Sequence, residues 1–151
     1  MVKGIDAIQD KLEKLKEFQQ NAPKYAIDAV MEEKAIVLDM NFEEQLYLEG
    51  VNRNNVPIMD YKPYSPATEF IKQQKRQPYD RVTLRDGGDF HSDGDIERID
   101  DVTAEIISTD QKSEWLQDKY GKEILGLKPD NMTELKENYV KPYLHKKLEE
   151  I

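Results

Sequence analysis

The chain has 151 residues, enough for one domain that buries most of its apolar surface and too few for two cores of ordinary size. A formal net charge of −9 argues against tight non-specific binding to nucleic acid, the lack of cysteine excludes disulfides and thiolate metal sites, and no apolar run approaches the ~20 residues of a membrane span. With 35% charged and 38% hydrophobic residues the chain is polar for a globular monomer, so part of its structure is expected to depend on partners or to extend into solvent.

Met1-Val2-Lys3-Gly4 leads directly into a charged amphipathic segment without the apolar core of a secretion signal, so synthesis and use in a cytoplasm are expected. Ile5, Ile8, Leu12, Leu15 and Phe18 recur at spacings of three and four, the apolar side of a helix. Pro23 then either restarts the helix from an Asn21 cap or bends a continuous one. A second helical stretch from about Lys24 to Glu49 carries Tyr25, Ile27, Val30, Met31, Ala35, Leu38, Phe42, Leu46 and Tyr47. At ~1.5 Å per residue it approaches ~40 Å, longer than a small sheet needs, so contacts with neighbouring subunits are expected.

Gly50 to Asn55 is a loop on composition, and Met59-Asp60-Tyr61 is expected to be a short extended segment. Ser65-Pro66 is a helix start: the serine hydroxyl accepts from first-turn amides, and Pro66 has its φ preset and no N–H to leave unpaired. That helix should run to about Lys75 with Ala67, Phe70 and Ile71 on its apolar side, and end before Gln77-Pro78.

Val82-Thr83-Leu84 reads as a strand, broken at Asp86-Gly87-Gly88-Asp89, where glycine reaches positive φ at little steric cost. Phe90, Ser92, Gly94 and Ile96 alternate onto one face, as do Val102, Ala104 and Ile106, predicting a hairpin over roughly 89–99 and 102–108 with Asp100-Asp101 at its tip. Asp110 caps an expected helix over Gln111–Tyr120 that buries Trp115 and Leu116 and stops at Gly121. Pro129-Asp130-Asn131 opens the last helix, with Asn131 and Glu134 spaced as a reciprocal cap. Pro142 must bend or split that helix.

The fold class expected from these elements is α+β: a small antiparallel sheet made of the central hairpin plus Val82–Leu84, flanked by long N-terminal helices and a C-terminal helix. The whole chain, 1–151, reads as a single domain, with a helical arm over 1–49, a helix-plus-hairpin core over 57–109 and C-terminal helices over 110–151.

The pattern Tyr64-Ser65-Pro66, Thr68 and Lys72, followed by Leu84, Asp86, Gly88 and Phe90 ahead of a hairpin, resembles the neck or tail-completion proteins of tailed bacteriophages, the virion-morphogenesis family. The run Tyr120-Gly121-Lys122-Glu123-Ile124-Leu125-Gly126-Leu127 is similar to the segment after the hairpin in many members. The resemblance covers about the C-terminal two thirds of the chain. It departs at Gly87, where the family usually has threonine, and at Asp93-Gly94, where it usually has a more apolar strand. It implies a non-enzymatic virion component, assembled in a host cytoplasm as a homo-oligomeric ring beside portal, connector or tail-tube proteins. DNA would pass through without specific binding, and neither cofactor nor membrane is involved. On this view Leu84 and Phe90 fix the turn into the core, Asp86 and Gly88 set its geometry, and the 50–60 loop and long helices touch neighbours.

Charge is unevenly spread. Lys62 to Arg85 holds six bases and two acids, net +4, while Asp86 to Glu105 holds eight acids and one base, net −7. Either the two segments neutralise each other within the fold, or copies meet basic side to acidic side around a ring. An acidic lumen would suit a channel for DNA.

Other chemistries have weaker signals. Asp86, Asp89, Asp93 and Asp95 with His91 have the composition of a hard-cation site, the basis of an alternative reading as a metal-dependent nuclease, but turn and edge-strand roles explain the same residues. Tyr61, Tyr64 and Tyr79 beside Lys72, Lys75 and Arg76 can stack single-stranded nucleic acid or serve as core and interface anchors. His145 reads as a surface residue near a helix C-terminus. Nucleophile pairs, phosphate loops and zinc spacings are absent from the sequence, and a non-phage adaptor that grips a partner with its helices is the remaining alternative.

Overall fold

The computed structural model describes residues 3–151. Helix α1 spans Lys3–Glu32 and runs through Pro23 without a break. After a turn at Glu33 the chain continues as α2, Lys34–Leu38, and then as a π-helical stretch, Asp39–Glu49, ended by Gly50 at φ 67°. The expected stop at Glu49 is thus present, closed by a left-handed glycine. Short helices α3, Ile58–Tyr61, and α4, Pro66–Gln74, follow. A single helical turn α5, Asp89–Ser92, precedes the strands β1, Gly94–Arg98, and β2, Ala104–Ser108. Helix α6, Ser113–Tyr120, a 3-10 turn at Lys122–Ile124, α7, Pro129–Leu135, a π-helical turn at Lys136–Val140 and α8, Lys141–Glu149, complete the chain. Among the described residues, no helix is long and apolar enough to cross a membrane.

The α+β class holds, but the sheet is smaller than the sequence implied. It has two antiparallel strands, with Gly94 opposite Ser108 and Arg98 opposite Ala104. Val82–Leu84 is not a strand: Leu84 sits at φ 55°, outside the extended region, and the main chain of Thr83 is bonded by side chains. The first strand starts at Gly94 and not at Asp89. Gly88 at φ 89° opens a helical turn closed by the Ser92 N–H on the Gly88 carbonyl, 2.9 Å, and this swings Phe90 into the core. The alternation read over 90–96 rested on Ser92 and Gly94, residues that carry no apolar signal of their own.

Several local expectations also need correcting. Met59–Tyr61 is helical and not extended. Helix α4 has the expected Ser65 cap, its Oγ accepting from the Thr68 N–H at 3.1 Å, but the face it buries is the opposite one. Thr68 and Lys72 point inward while Phe70 and Ile71 are 61% and 52% exposed. Trp115 is 59% exposed rather than buried, and α6 begins at Ser113, with the Asp110 carboxylate accepting from the Lys112 N–H ahead of it. Asn131 does not cap its helix. It lies inside α7, which starts at Pro129, and its amide is turned into the core. The helix-breaking tendency of Pro142 is absorbed by the π-helical turn just before it, a usual way to accommodate a missing N–H.

Two apolar clusters hold these parts together. Phe42, Leu46, Ile58, Val82, Phe90, Leu116, Tyr120, Ile124 and Leu125 form the larger, joining the π-helical stretch to the turn and α6. Val37, Ile96 and Leu135 form the smaller, tying the hairpin to α2 and the C-terminal helices. The π-helical stretch supplies Phe42 and Leu46 to the larger cluster and also carries Asn41 and Gln45, both 0% exposed.

Candidate functional site

Seven of the nine residues of the Tyr64–Phe90 motif converge on one cleft. It has a volume of about 320 Å³ between α4, the 84–90 turn and α6, and Tyr64, Thr68, Lys72, Leu84, Asp86, Gly88 and Phe90 all line it. Ser65 and Pro66 sit at the start of α4 and contribute the cap, not the lining.

Their side chains fix the turn. Tyr64 Oη accepts a hydrogen bond from the Thr83 N–H at 3.1 Å, and His91 Nε2 donates to the Thr83 carbonyl at 2.9 Å. Thr83 is fully buried, so its main chain would otherwise lack partners away from water. Its own Oγ1 accepts from the Arg85 N–H at 3.3 Å. Leu84 then turns left-handed and packs against the larger cluster. Farther along, Ser108 Oγ donates to the Phe90 carbonyl at 2.8 Å and locks the turn to β2.

Lys72 is 8% exposed and has no carboxylate partner among the described residues. Its ammonium lies 5.1 Å from the Tyr64 ring centroid and approaches Gln77 Oε1 and the Arg85 carbonyl at 3.5 Å. The aliphatic stem is what α4 buries here, with the charge carried to the cleft wall. Asp86 is held from outside: Lys75 Nζ donates to its carboxylate at 2.9 Å and Gln77 Nε2 at 3.3 Å, and these bonds keep its carboxyl below the ordinary carboxylate range.

The acidic run does not gather. Asp86 turns to Lys75, and Asp95 turns to the Ile96 N–H and Lys34, the bonds that lower its pKa. His91 faces the Phe42 and Phe90 rings. Burial pushes its pKa down to about 4, and its Nδ1 is buried without a partner. Among the described residues, no three of the His, Asp and Glu side chains come together as metal ligands would. Of the tyrosines considered for base stacking, Tyr64 is engaged on Thr83 and Tyr61 through its hydroxyl on the Tyr120 carbonyl at 2.8 Å, although Tyr61 and Tyr79 are 43% and 45% exposed.

Asn41 and Gln45 form a second motif contact that sequence reading passed over. Asn41 Nδ2 donates to the Ile124 carbonyl at 3.0 Å and its Oδ1 accepts from the Gly126 N–H at 2.9 Å. Gln45 Nε2 donates to the Gly126 carbonyl, and its Oε1 accepts from the Lys128 N–H and Asn131 Nδ2, each at 2.9 Å. The two amides thereby hold the Tyr120–Leu127 segment against the π-helical stretch. The available signal was a pair of amides four residues apart interleaved with Phe42 and Leu46, on a helix that otherwise buries apolar side chains.

No protein-family model, curated protein or solved structure matches the chain.

Proposed function

We propose that the protein is a structural subunit of a tailed-phage virion that joins copies of itself into a ring in the neck or tail-completion region, against portal, connector or tail-tube neighbours. The order and spacing of the Tyr64–Phe90 motif support this reading. So does the use of those residues, which spend their hydrogen-bonding groups on shaping one turn. The observation that carries it is the exposed apolar surface. Ile5, Ile8 and Leu12 on α1, Phe70 and Ile71 on α4 and Trp115 on α6 are each more than half exposed, in a chain whose polar composition leaves little apolar material to spare. On α1, where Ile5, Ile8 and Leu12 share one helix face, an apolar stripe of this kind belongs to interfaces more often than to monomers. A net charge of −9 keeps such a ring from gripping DNA that moves through it.

Native mass spectrometry with negative-stain microscopy tests the reading. A closed ring with a central hole is expected, and a monomer across the micromolar range would overturn it.

A further inference from the structure

Two of the exposed surfaces of this chain combine apolar side chains with unpaired charge. On α1, Ile5, Ile8, Leu12 and Leu15 are 52%, 61%, 51% and 41% exposed, and their spacing places them in one stripe. At ~100° per residue, Lys11 and Lys16 lie along the two borders of that stripe, while Asp6, Asp10, Glu13 and Glu17 fall on the far side. Both lysines are exposed and unpaired among the described residues, whereas Lys14 is paired with Asp10 at 3.4 Å.

The hairpin is the second surface. Glu97 and Glu105 are register partners on its exposed face, a like-charge pair that destabilises a ladder, and neither has an ion-pair partner among the described residues. At the tip, Ile99 and Val102 are 50% and 58% exposed beside Asp100 and Asp101.

Each surface rejects a copy of itself. Two α1 stripes packed in parallel set Lys11 of one helix against Lys16 of the other, and packed antiparallel they set like lysines together. Two hairpin tips bring carboxylates face to face. Only the cross-pairing answers both, with apolar side chains meeting and lysines facing carboxylates.

The pairing cannot occur within one chain. Arg98 Nη1 is bound to Asp28 Oδ1 at 2.6 Å, which pins the hairpin to the far part of α1. At ~1.5 Å per residue, Leu12 lies ~24 Å and Ile5 ~35 Å along the helix from that point. Most bases of the 62–85 segment are engaged within the fold: Lys75 is on Asp86 at 2.9 Å, Arg81 on Asp80 at 2.7 Å and Arg85 on Glu43 at 3.4 Å, and Lys72 is buried. Lys62 and Arg76 are exposed and unpaired among the described residues, but they lie beyond opposite ends of α4 and do not border one apolar stripe as Lys11 and Lys16 do.

We infer that the apolar stripe of α1 receives the hairpin tip of a second copy of this chain, with Ile99 and Val102 seated on Ile5–Leu15 and Lys11 and Lys16 facing Glu97, Glu105 and the tip aspartates. This rests on the self-assembly reading above and gives it a geometry. The contact is heterologous, so it repeats head to tail and closes into a ring or grows as an open filament, depending on the rotation per subunit.

The test compares full-length wild type, K11E/K16E, E97K/E105K and the fourfold combination by native mass and light scattering over a concentration series, with thermal unfolding as the folding control. Each double reversal is expected to weaken self-association by on the order of tenfold or more, and the fourfold charge swap to restore it. Reversals that leave the mass distribution of a wild-type ring unchanged would overturn this contact while the ring reading stands. Open filaments that the reversals dissolve would support the contact and remove the ring. A single K11E change that tightens association would overturn the inference in favour of arm-to-arm pairing, because the introduced carboxylate would then face Lys16 of the neighbouring helix. A wild type that stays monomeric would remove both.

Discussion

The hydroxyl of Tyr64 accepts the backbone N–H of Thr83 across 3.1 Å, although nineteen residues separate them in the chain. Because Thr83 is completely buried, that N–H has no water to turn to if the hydroxyl is removed. Tyr64→Phe preserves the ring beneath Lys72 and deletes only the acceptor. A loss of roughly 1–3 kcal/mol is expected, the cost of an unpaired buried donor. Urea unfolding should show a lower midpoint at unchanged slope, and equal midpoints for the two proteins would mean that Thr83 finds another partner.

His91 makes stability depend on pH. Its pKa is pushed down to about 4 by burial, against about 6.5 unfolded, with the nearby Arg85 charge acting in the same direction. The folded state therefore keeps the ring neutral where the unfolded chain binds a proton. Stability is full above the unfolded value and falls as pH drops from about 6.5 toward 4, by roughly 2 kcal/mol between pH 7 and 4.5. Asp86 and Asp95 are lowered from 3.8, so most of their loss falls below this window. His91→Gln keeps an N–H for the Thr83 carbonyl and cannot titrate. Its unfolding free energy should be nearly flat over the same range, and parallel curves for the two proteins would exclude His91 as the source.

Adjacent glycines should respond with opposite signs. A Cβ on Gly87 meets nothing within 4 Å, so Gly87→Ala should stabilise by about 0.5 kcal/mol through the unfolded chain. Gly88 has φ 89°, and Gly88→Ala should cost about 1 kcal/mol or more from the left-handed backbone alone. Thermal midpoints of the two variants moving in the same direction would contradict this account of the turn.

The parts of the fold that were legible in the sequence are those decided by local chemistry. The Ser65-Pro66 start, the helix end at Glu49 and the antiparallel pairing of 94–98 with 104–108 follow from residues acting on their immediate neighbours. Features decided by distant partners were not legible. Val82–Leu84 has strand-forming side chains, but Tyr64 and His91 take the hydrogen bonds a ladder would have used. Phe70 and Ile71 look like core on a short helix, yet it is Lys72 that turns inward, between the Arg85 carbonyl of the neighbouring turn and the Tyr64 ring ahead of the helix. The cleft was visible only as a list of motif residues, since nothing in the spacing of Tyr64 and Thr83 announces that they touch.

Gln45 should be among the positions least tolerant of an apolar replacement. Gln45→Leu fits the helix but leaves the Gly126 carbonyl, the Lys128 N–H and the Asn131 amide each one bond short. A penalty of roughly 3 kcal/mol or more is expected, with amide exchange rising first over 124–131. Uniform exchange changes across the chain would argue that these amides do not specifically hold that segment.

Gly94 is confined by an aromatic ring. A Cβ built there overlaps the Phe42 ring, which packs edge-on against Phe90 with centroids 5.5 Å apart at 73°, so the ring cannot move aside without disturbing the turn. Gly94→Ala should therefore cost about 1–3 kcal/mol by overpacking, despite the better strand propensity of alanine. Phe42→Leu creates space at the same point while losing aromatic packing of its own. The double variant should be more stable than the sum of the two single losses by on the order of 1 kcal/mol, a coupling expected only for side chains in contact. Strict additivity in chemical denaturation would show that Phe42 yields freely and that the glycine is not required by the close approach.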